Sequence, residues 1–159
     1  NEQYQNYKDI LGKNAPESLE EFQKIKYTNK EEWKNLKLCY NDKNLQNEIR
    51  ESYNLNILEG KQGKHILGHN NYIEGRSYLT VSINEAQDIV NKYAGTGQIL
   101  RDRNNKWTNK ELIDVGENVG IALNLNGDRK PTSKIIIHYS KNGIHIVPTD
   151  RKLKGSKEL

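Results

Sequence analysis

The imidazoles of this chain fall in two places. His65 and His69 lie in the run Gly60-Lys61-Gln62-Gly63-Lys64-His65-Ile66-Leu67-Gly68-His69-Asn70-Asn71-Tyr72, which is followed by Gly75-Arg76-Ser77, whereas His138 and His145 lie near the end of the chain around Ser140 and Lys141. An unperturbed imidazole titrates near pH 6.5 and can take or give a proton at neutral pH, so clustered histidines beside cations suit acid/base chemistry on an anionic substrate. The spacing of His65 and His69 would place both on one face of a helix, but the glycines between and around them oppose a helix. No Glu completes an H-E-x-x-H pattern, so no metal site is expected. The run reads instead as a loop or a pair of short extended pieces. Cys39, the single cysteine, can form no internal disulfide and suggests no metal set.

The elements that must position these groups are strands. Candidates run over Gln98 to Arg101, Leu112 to Val115, Gly120 to Leu125, Lys134 to Ser140 and Ile144 to Val147, with Asn-rich turns between them. Asn142-Gly143 is typical of a two-residue type I′ turn. With those two residues as the loop, Lys141 faces Ile144, Ser140 faces His145 and His138 faces Val147. Alternation then puts Ile135, Ile137, Tyr139, Ile144 and Ile146 on one buried face, and His138, Ser140 and His145 on the other. The second face is either an acid/base surface or a solvated polar one. Ahead of the strands, Ser82-Ile83-Asn84-Glu85 fits a capping box, and Ile83, Ala86, Ile89, Val90 and Tyr93 form an apolar stripe ending at Gly95. A helix packed on a small antiparallel meander, an α+β arrangement, is the expected fold.

The N-terminal part has a different character. Residues 1–58 hold nine Lys/Arg against ten Asp/Glu, so the rest of the chain carries sixteen against eleven and the whole basic excess. Eleven of the twelve glycines and all four histidines also lie in that second part, which sets a boundary near Glu59-Gly60. A helix is expected from Tyr4 to Leu11, ending at Gly12, and a weaker one from Asn47 to Tyr53. Two more begin at the capping boxes Ser18-Leu19-Glu20-Glu21 and Thr28-Asn29-Lys30-Glu31, and their stripes, Leu19, Phe22, Ile25 and Trp33, Leu36, Tyr40, read as packing surface. The expected organisation is a helical segment over 1–58, an α+β domain over 59–150 and a basic tail over 151–159 that is either a disordered, inert terminus or an RNA-contacting arm. No run of about 18 apolar residues exists to span a bilayer. The chain begins Asn1-Glu2-Gln3, without an initiator Met, and reads as part of something longer.

Taken together, the Gly60–Tyr72 run, Gly75-Arg76-Ser77, Tyr93-Ala94-Gly95-Thr96-Gly97 and the closing His138-Tyr139-Ser140-Lys141 and His145-Ile146-Val147-Pro148 resemble the bacterial polymorphic toxin type 50 domain, over about residues 59–150. One departure is Glu74, where that pattern suggests proline. The stretch from Tyr7-Lys8-Asp9-Ile10-Leu11-Gly12 through Glu31-Glu32-Trp33-Lys34-Asn35-Leu36 is similar to the region that precedes this domain in phage minor head (head-morphogenesis) proteins.

The resemblance implies a fold of the barnase, EndoU, colicin and RelE group and a metal-independent endoribonuclease with no cofactor. Its substrate would be RNA and a further partner an immunity protein. The implied setting is a phage virion or the bacterial cytoplasm into which a toxin is delivered. Such cleavage needs a base for the 2′-OH, an acid for the leaving 5′-oxygen and positive charge for the phosphate. His65 and His145 are the acid/base candidates, Lys64 and Arg76 the phosphate stabilisers, and Ser140 orients the phosphate or His145. His69, Ser77, His138 and Lys141 are secondary candidates for substrate binding. The alternative reading is a non-catalytic nucleic-acid-binding or assembly domain of a phage head protein.

Overall fold

A computed structural model describes residues 1–124 and 126–154. They form two compact units, the first ending at Ile49 and the second opening at Arg50.

The first unit is helical. α1 (Glu2–Leu11) starts where the Asn1 side chain accepts from the amides of Gln3 and Tyr4, and it stops at Gly12, whose φ of 57° continues no helix. α2 (Leu19–Thr28) is capped by Ser18, as its capping box predicts. The next cap differs from expectation: Thr28 is still helical and turns its hydroxyl back to the Lys24 carbonyl, so Asn29 caps α3 (Lys30–Ser52) by accepting from the Glu32 amide at 3.1 Å. A side chain already committed to the preceding turn cannot also cap the following helix. The weak helix expected from Asn47 is the end of α3. Tyr4, Tyr7 and Phe22 form the core, with Leu11, Leu19, Trp33, Leu36 and Tyr40 against it. Tyr7 stacks on Tyr40 with ring centroids 4.1 Å apart.

The second unit is α+β. It contains the short helix α4 (Glu59–Gln62), β1 (Tyr78–Leu79), α5 (Ile83–Tyr93), β2 (Gln98–Arg101), β3 (Trp107–Asp114), β4 (Gly120–Leu123), β5 (Arg129–Thr132), β6 (Lys134–Ser140) and β7 (Gly143–Pro148). The expected single meander is two antiparallel sheets, one ordered β1-β4-β5 and the other β2-β3-β6-β7. The expected end of β4, Leu125, lies outside the described residues, as do residues 155–159 of the tail. On the larger sheet Ile135, Ile137, Tyr139, Ile144 and Ile146 are buried, as the alternation predicts. α5 is capped by Ser82, which accepts from the Glu85 amide. The chain leaving α5 is tied to the buried face by Glu111, whose carboxylate accepts from the amides of Gly95 (3.0 Å) and Gly97 (2.8 Å) and from the Tyr139 hydroxyl (2.7 Å). Three donors satisfy a buried carboxylate that would otherwise be costly to desolvate.

Candidate active site

The hairpin β6–β7 sets the first half of the site. Its turn is Lys141-Asn142, because Ser140 pairs with Gly143, and His138 therefore stands directly opposite His145 rather than Val147. The register is displaced by two residues from the Asn142-Gly143 expectation, which preserves every face assignment and changes every cross-strand partner. The cause is tertiary. A Cβ on Gly143 would lie 2.5 Å from the Asn56 carbonyl oxygen and 3.0 Å from Leu58 Cγ, and the residue's φ of 144° is one that L side chains rarely adopt, so the glycine is needed within the strand, where Asn56 and Leu58 approach it. The Ser140 hydroxyl closes the hairpin by donating to the Gly143 carbonyl at 2.7 Å. His138 and His145 are half-buried, and their rings stack with centroids 4.4 Å apart.

β7 is an edge strand, and an unpaired edge needs covering. Residues 56–62 cover it. Ile144 donates to the Asn56 carbonyl and accepts from the Leu58 amide. One step along, the buried Gln62 side chain substitutes for a strand: its Oε1 accepts from the Ile146 amide at 2.7 Å and its Nε2 donates to the Ile146 carbonyl at 2.8 Å. These bonds fix α4 on the strand that carries His145. The segment Gly60–His65, expected to be loop or extended, is thus one helical turn followed by a 3₁₀ turn over Gly63–His65, since a single turn anchored from outside tolerates glycine better than a long helix does.

That turn delivers His65. The residue is only 6 % exposed, and its ring lies nearly parallel to the His145 ring (11°) at a centroid distance of 6.3 Å. Its Nδ1 is 2.8 Å from the Ser77 carbonyl. A carbonyl only accepts, so Nδ1 carries the proton and Nε2 is the basic nitrogen of the neutral ring. Ser77 is buried and contributes through its backbone. His69 is placed elsewhere: its ring lies against Gly63, its Nδ1 accepts from the Asn71 amide at 3.0 Å, and Nε2 is 3.8 Å from a Glu59 carboxylate oxygen. Among the described residues no three His, Cys, Asp or Glu side chains are grouped to hold a metal ion.

The surrounding charge is positive. Burial, then His65, Lys61, Lys64 and Lys110 push the His145 imidazole down to about 4. Burial, then His145, Lys110 and His65 do the same to His138, also to about 4. His65 is lowered by burial and by Arg76 and Lys64, against the opposing effect of its bond to Ser77. All three rings are therefore neutral at pH 7, and an anion between them would offset the same repulsion that discharges them. Arg76 is exposed and makes no ion pair among the described residues; Lys141 is exposed in the hairpin turn beside Ser140.

Three contributors lie outside the sequence candidates. Lys110 stands directly opposite His138 on β3, in a stretch the sequence reading left out of that strand. Lys61 lies close enough to His145 to influence it, and Gln62 builds the contact that brings both lysines of this segment to the site. The two residues flanking Gln62 and Gly63, Lys61 and Lys64, were visible as a basic pair, but nothing local marks Gln62 as a strand substitute.

A model of the bacterial toxin 50 family matches residues 57–148, which is the stretch from the first residues covering β7 to the end of β7 itself and contains all three clustered histidines. No curated protein matches the chain.

Proposed function

The chain belongs to the bacterial toxin 50 family, and on that premise we propose that its second unit is a metal-independent endoribonuclease whose acid/base pair is His65 and His145. In this reading a neutral imidazole takes the 2′-OH proton of RNA. The 2′-oxygen then attacks the adjacent phosphorus, the P–O2′ bond forms and the P–O5′ bond breaks. The departing 5′-oxygen takes a proton from the other imidazole, held as imidazolium by the bound phosphate. The products are a 2′,3′-cyclic phosphate and a 5′-hydroxyl. Proton transfer of this kind is worth about 10²–10⁴-fold for each positioned group.

One observation carries the reading: two near-parallel imidazoles, 6.3 Å apart, too distant to bond each other and close enough to serve one phosphodiester between them. Lys64 and Arg76, with Lys61 and Lys110, supply fixed positive charge where the phosphorane would carry negative charge. His138, stacked on His145 with ring centroids 4.4 Å apart, holds that ring in position. Ser140, whose proton is committed to Gly143, retains lone pairs for the neighbouring ring or for a bound water.

The test is cleavage of a defined single-stranded RNA in EDTA by the wild-type protein and by His65→Ala and His145→Ala, with product ends identified by mass. Cyclic-phosphate ends made by wild type and lost in both variants are expected. Cleavage that survives both substitutions overturns the assignment, and RNA that is retarded on a gel but never cut favours a nucleic-acid-binding domain instead.

A further inference from the structure

At the end of β6 lies a cavity that the acid/base chemistry leaves unused, lined both by Ser140 from the histidine face and by Tyr139 from the buried face. The ladder between β3 and β6 ends at the pair Lys110–His138, yet β6 runs on to Ser140. β3 bends away here: its pairing with β2 slips between Leu100 and Arg101, and Asn109 takes a left-handed φ of 61°. The Trp107 indole donates to the Lys110 carbonyl at 3.0 Å and holds the bend. Between the bent strand and the end of β6 opens a cavity of about 450 Å³ lined by Tyr53, Asn54, Asn109, Tyr139, Ser140 and Lys141 among others.

Its lining has the chemistry of a base-binding site. Tyr53, Trp107 and Tyr139 cluster with ring centroids 5.6–6.0 Å apart, so the Tyr53 ring on the cavity wall is braced by two other rings, of which Tyr139 also lines the cavity. Asn54 is spent on structure, accepting from Asn56 and donating to the Asn142 carbonyl, which ties the cavity rim to the hairpin turn. The Asn109 carboxamide and the Lys141 ammonium, by contrast, are exposed and make no bond among the described residues. A braced aromatic ring stacks on any base, a free carboxamide presents a donor and an acceptor to a base edge, and an ammonium suits a phosphate. The volume falls within the range of about 300–1,000 Å³ usual for small-ligand sites.

We infer that this cavity is a nucleobase subsite, holding the base of a nucleotide next to the scissile phosphate, with Asn109 as its base-reading residue and Tyr53 as its stacking platform. Ser140 lies two residues beyond His138 on the same strand face, about 7 Å along it, so a chain whose phosphate meets the histidines places a neighbouring nucleotide at the cavity mouth. The inference rests on the ribonuclease reading for its biological meaning, but binding can be measured without cleavage.

The experiment titrates 5′-AMP, 5′-GMP, 5′-CMP and 5′-UMP, with ribose 5-phosphate as the base-free comparator, into wild-type, Asn109→Gly and His145→Ala proteins, followed by ¹H–¹⁵N NMR. Glycine keeps the left-handed backbone at 109. At least one nucleotide is expected to bind wild type about tenfold or more tighter than ribose 5-phosphate, to shift the Lys141 and Asn109 signals, to lose that advantage in Asn109→Gly and to keep it in His145→Ala. Nucleotides that bind no better than ribose 5-phosphate, or an advantage that survives Asn109→Gly, overturn the subsite. Base-dependent binding through Asn109 in a protein that never cuts RNA sustains the subsite and defeats the ribonuclease reading; cleavage without base-dependent binding does the reverse.

Discussion

Gln62 satisfies both backbone groups of Ile146, and it does so from a separate segment 84 residues away in sequence. The next residue on each side of this contact belongs to the proposed site: His145 on the strand, and Lys61 on the helical turn that leads to His65. Replacing Gln62 with Ala leaves a buried N–H and a buried C=O without partners, each costing about 1–3 kcal/mol. The expected loss is therefore about 2–6 kcal/mol by urea denaturation, and RNA cleavage should fall by tenfold or more in protein that is still folded, because the turn that carries His65 is no longer fixed to the strand that carries His145. A variant that loses stability but keeps full activity would show that the contact is architectural only.

The pH dependence of stability has a definite sign. His138 and His145 titrate at about 4 in the folded protein and near 6.5 when unfolded. Below pH 6.5 the unfolded chain takes up protons that the folded chain refuses, so stability falls as pH drops from about 6.5 toward 4 and these groups contribute nothing above pH 7. With partial solvent exposure discounted, the loss between pH 7.5 and pH 5 is on the order of 1–3 kcal/mol. Urea midpoints of wild type and of His138→Asn/His145→Asn at both pH values check this. The double variant should show the smaller loss, and equal losses would mean that these histidines are not held neutral by the fold.

How far the sequence announces this site depends on the range of the interactions involved. The faces of β6 and β7 are legible because a period of two with isoleucine on one side admits one inward face. The register is not, since Gly143 serves an approach by Asn56 that no local pattern records. β5, Arg129-Lys130-Pro131-Thr132, escapes notice because it has no apolar alternation, and Pro131 is tolerated as on an edge strand. Lys110 escapes for a related reason: the first half of β3, Trp107-Thr108-Asn109-Lys110, is polar and bent. His65 and His145 are recognisable by type, but their meeting depends on Gln62, whose role is set entirely by where β7 ends up.

Lys110 presses on both His138 and His145, so its charge should tune the reaction rather than merely attract RNA. With the imidazoles depressed in the free site, kcat/KM should peak on the acid side of pH 6.5, where the protonated acid and neutral base coexist most often. Lys110→Ala removes one source of repulsion, lets both imidazoles rise toward 6.5 and should move that optimum upward while weakening RNA binding. The His145 titration followed by NMR and a kcat/KM profile from pH 4 to 8 test the two halves separately. A uniform drop in rate with no shift of either curve would assign Lys110 to binding alone.

Glu111 separates fold from chemistry on the opposite face of the same strand. Its carboxylate accepts three bonds, from Gly95, Gly97 and Tyr139, and burial with the Glu111 charge beside it raises the Tyr139 hydroxyl well above the ordinary tyrosine value, so the phenol remains a donor at every accessible pH. Glu111→Gln keeps the shape but turns one acceptor into an N–H₂ aimed at a backbone amide that can only donate. Whichever way the amide is flipped, at least one backbone amide faces a donor, with an expected cost of about 2–4 kcal/mol. Because Lys110 and Leu112 on the other face are not touched, activity per folded molecule should stay within a few-fold of wild type at temperatures where the variant is native. Thermal unfolding monitored by circular dichroism, read beside cleavage rates at low temperature, decides this. Wild-type stability in Glu111→Gln would contradict the three-donor arrangement, whereas a collapse of activity in folded protein would mean that the α5–Gly97 segment helps to shape the histidine face.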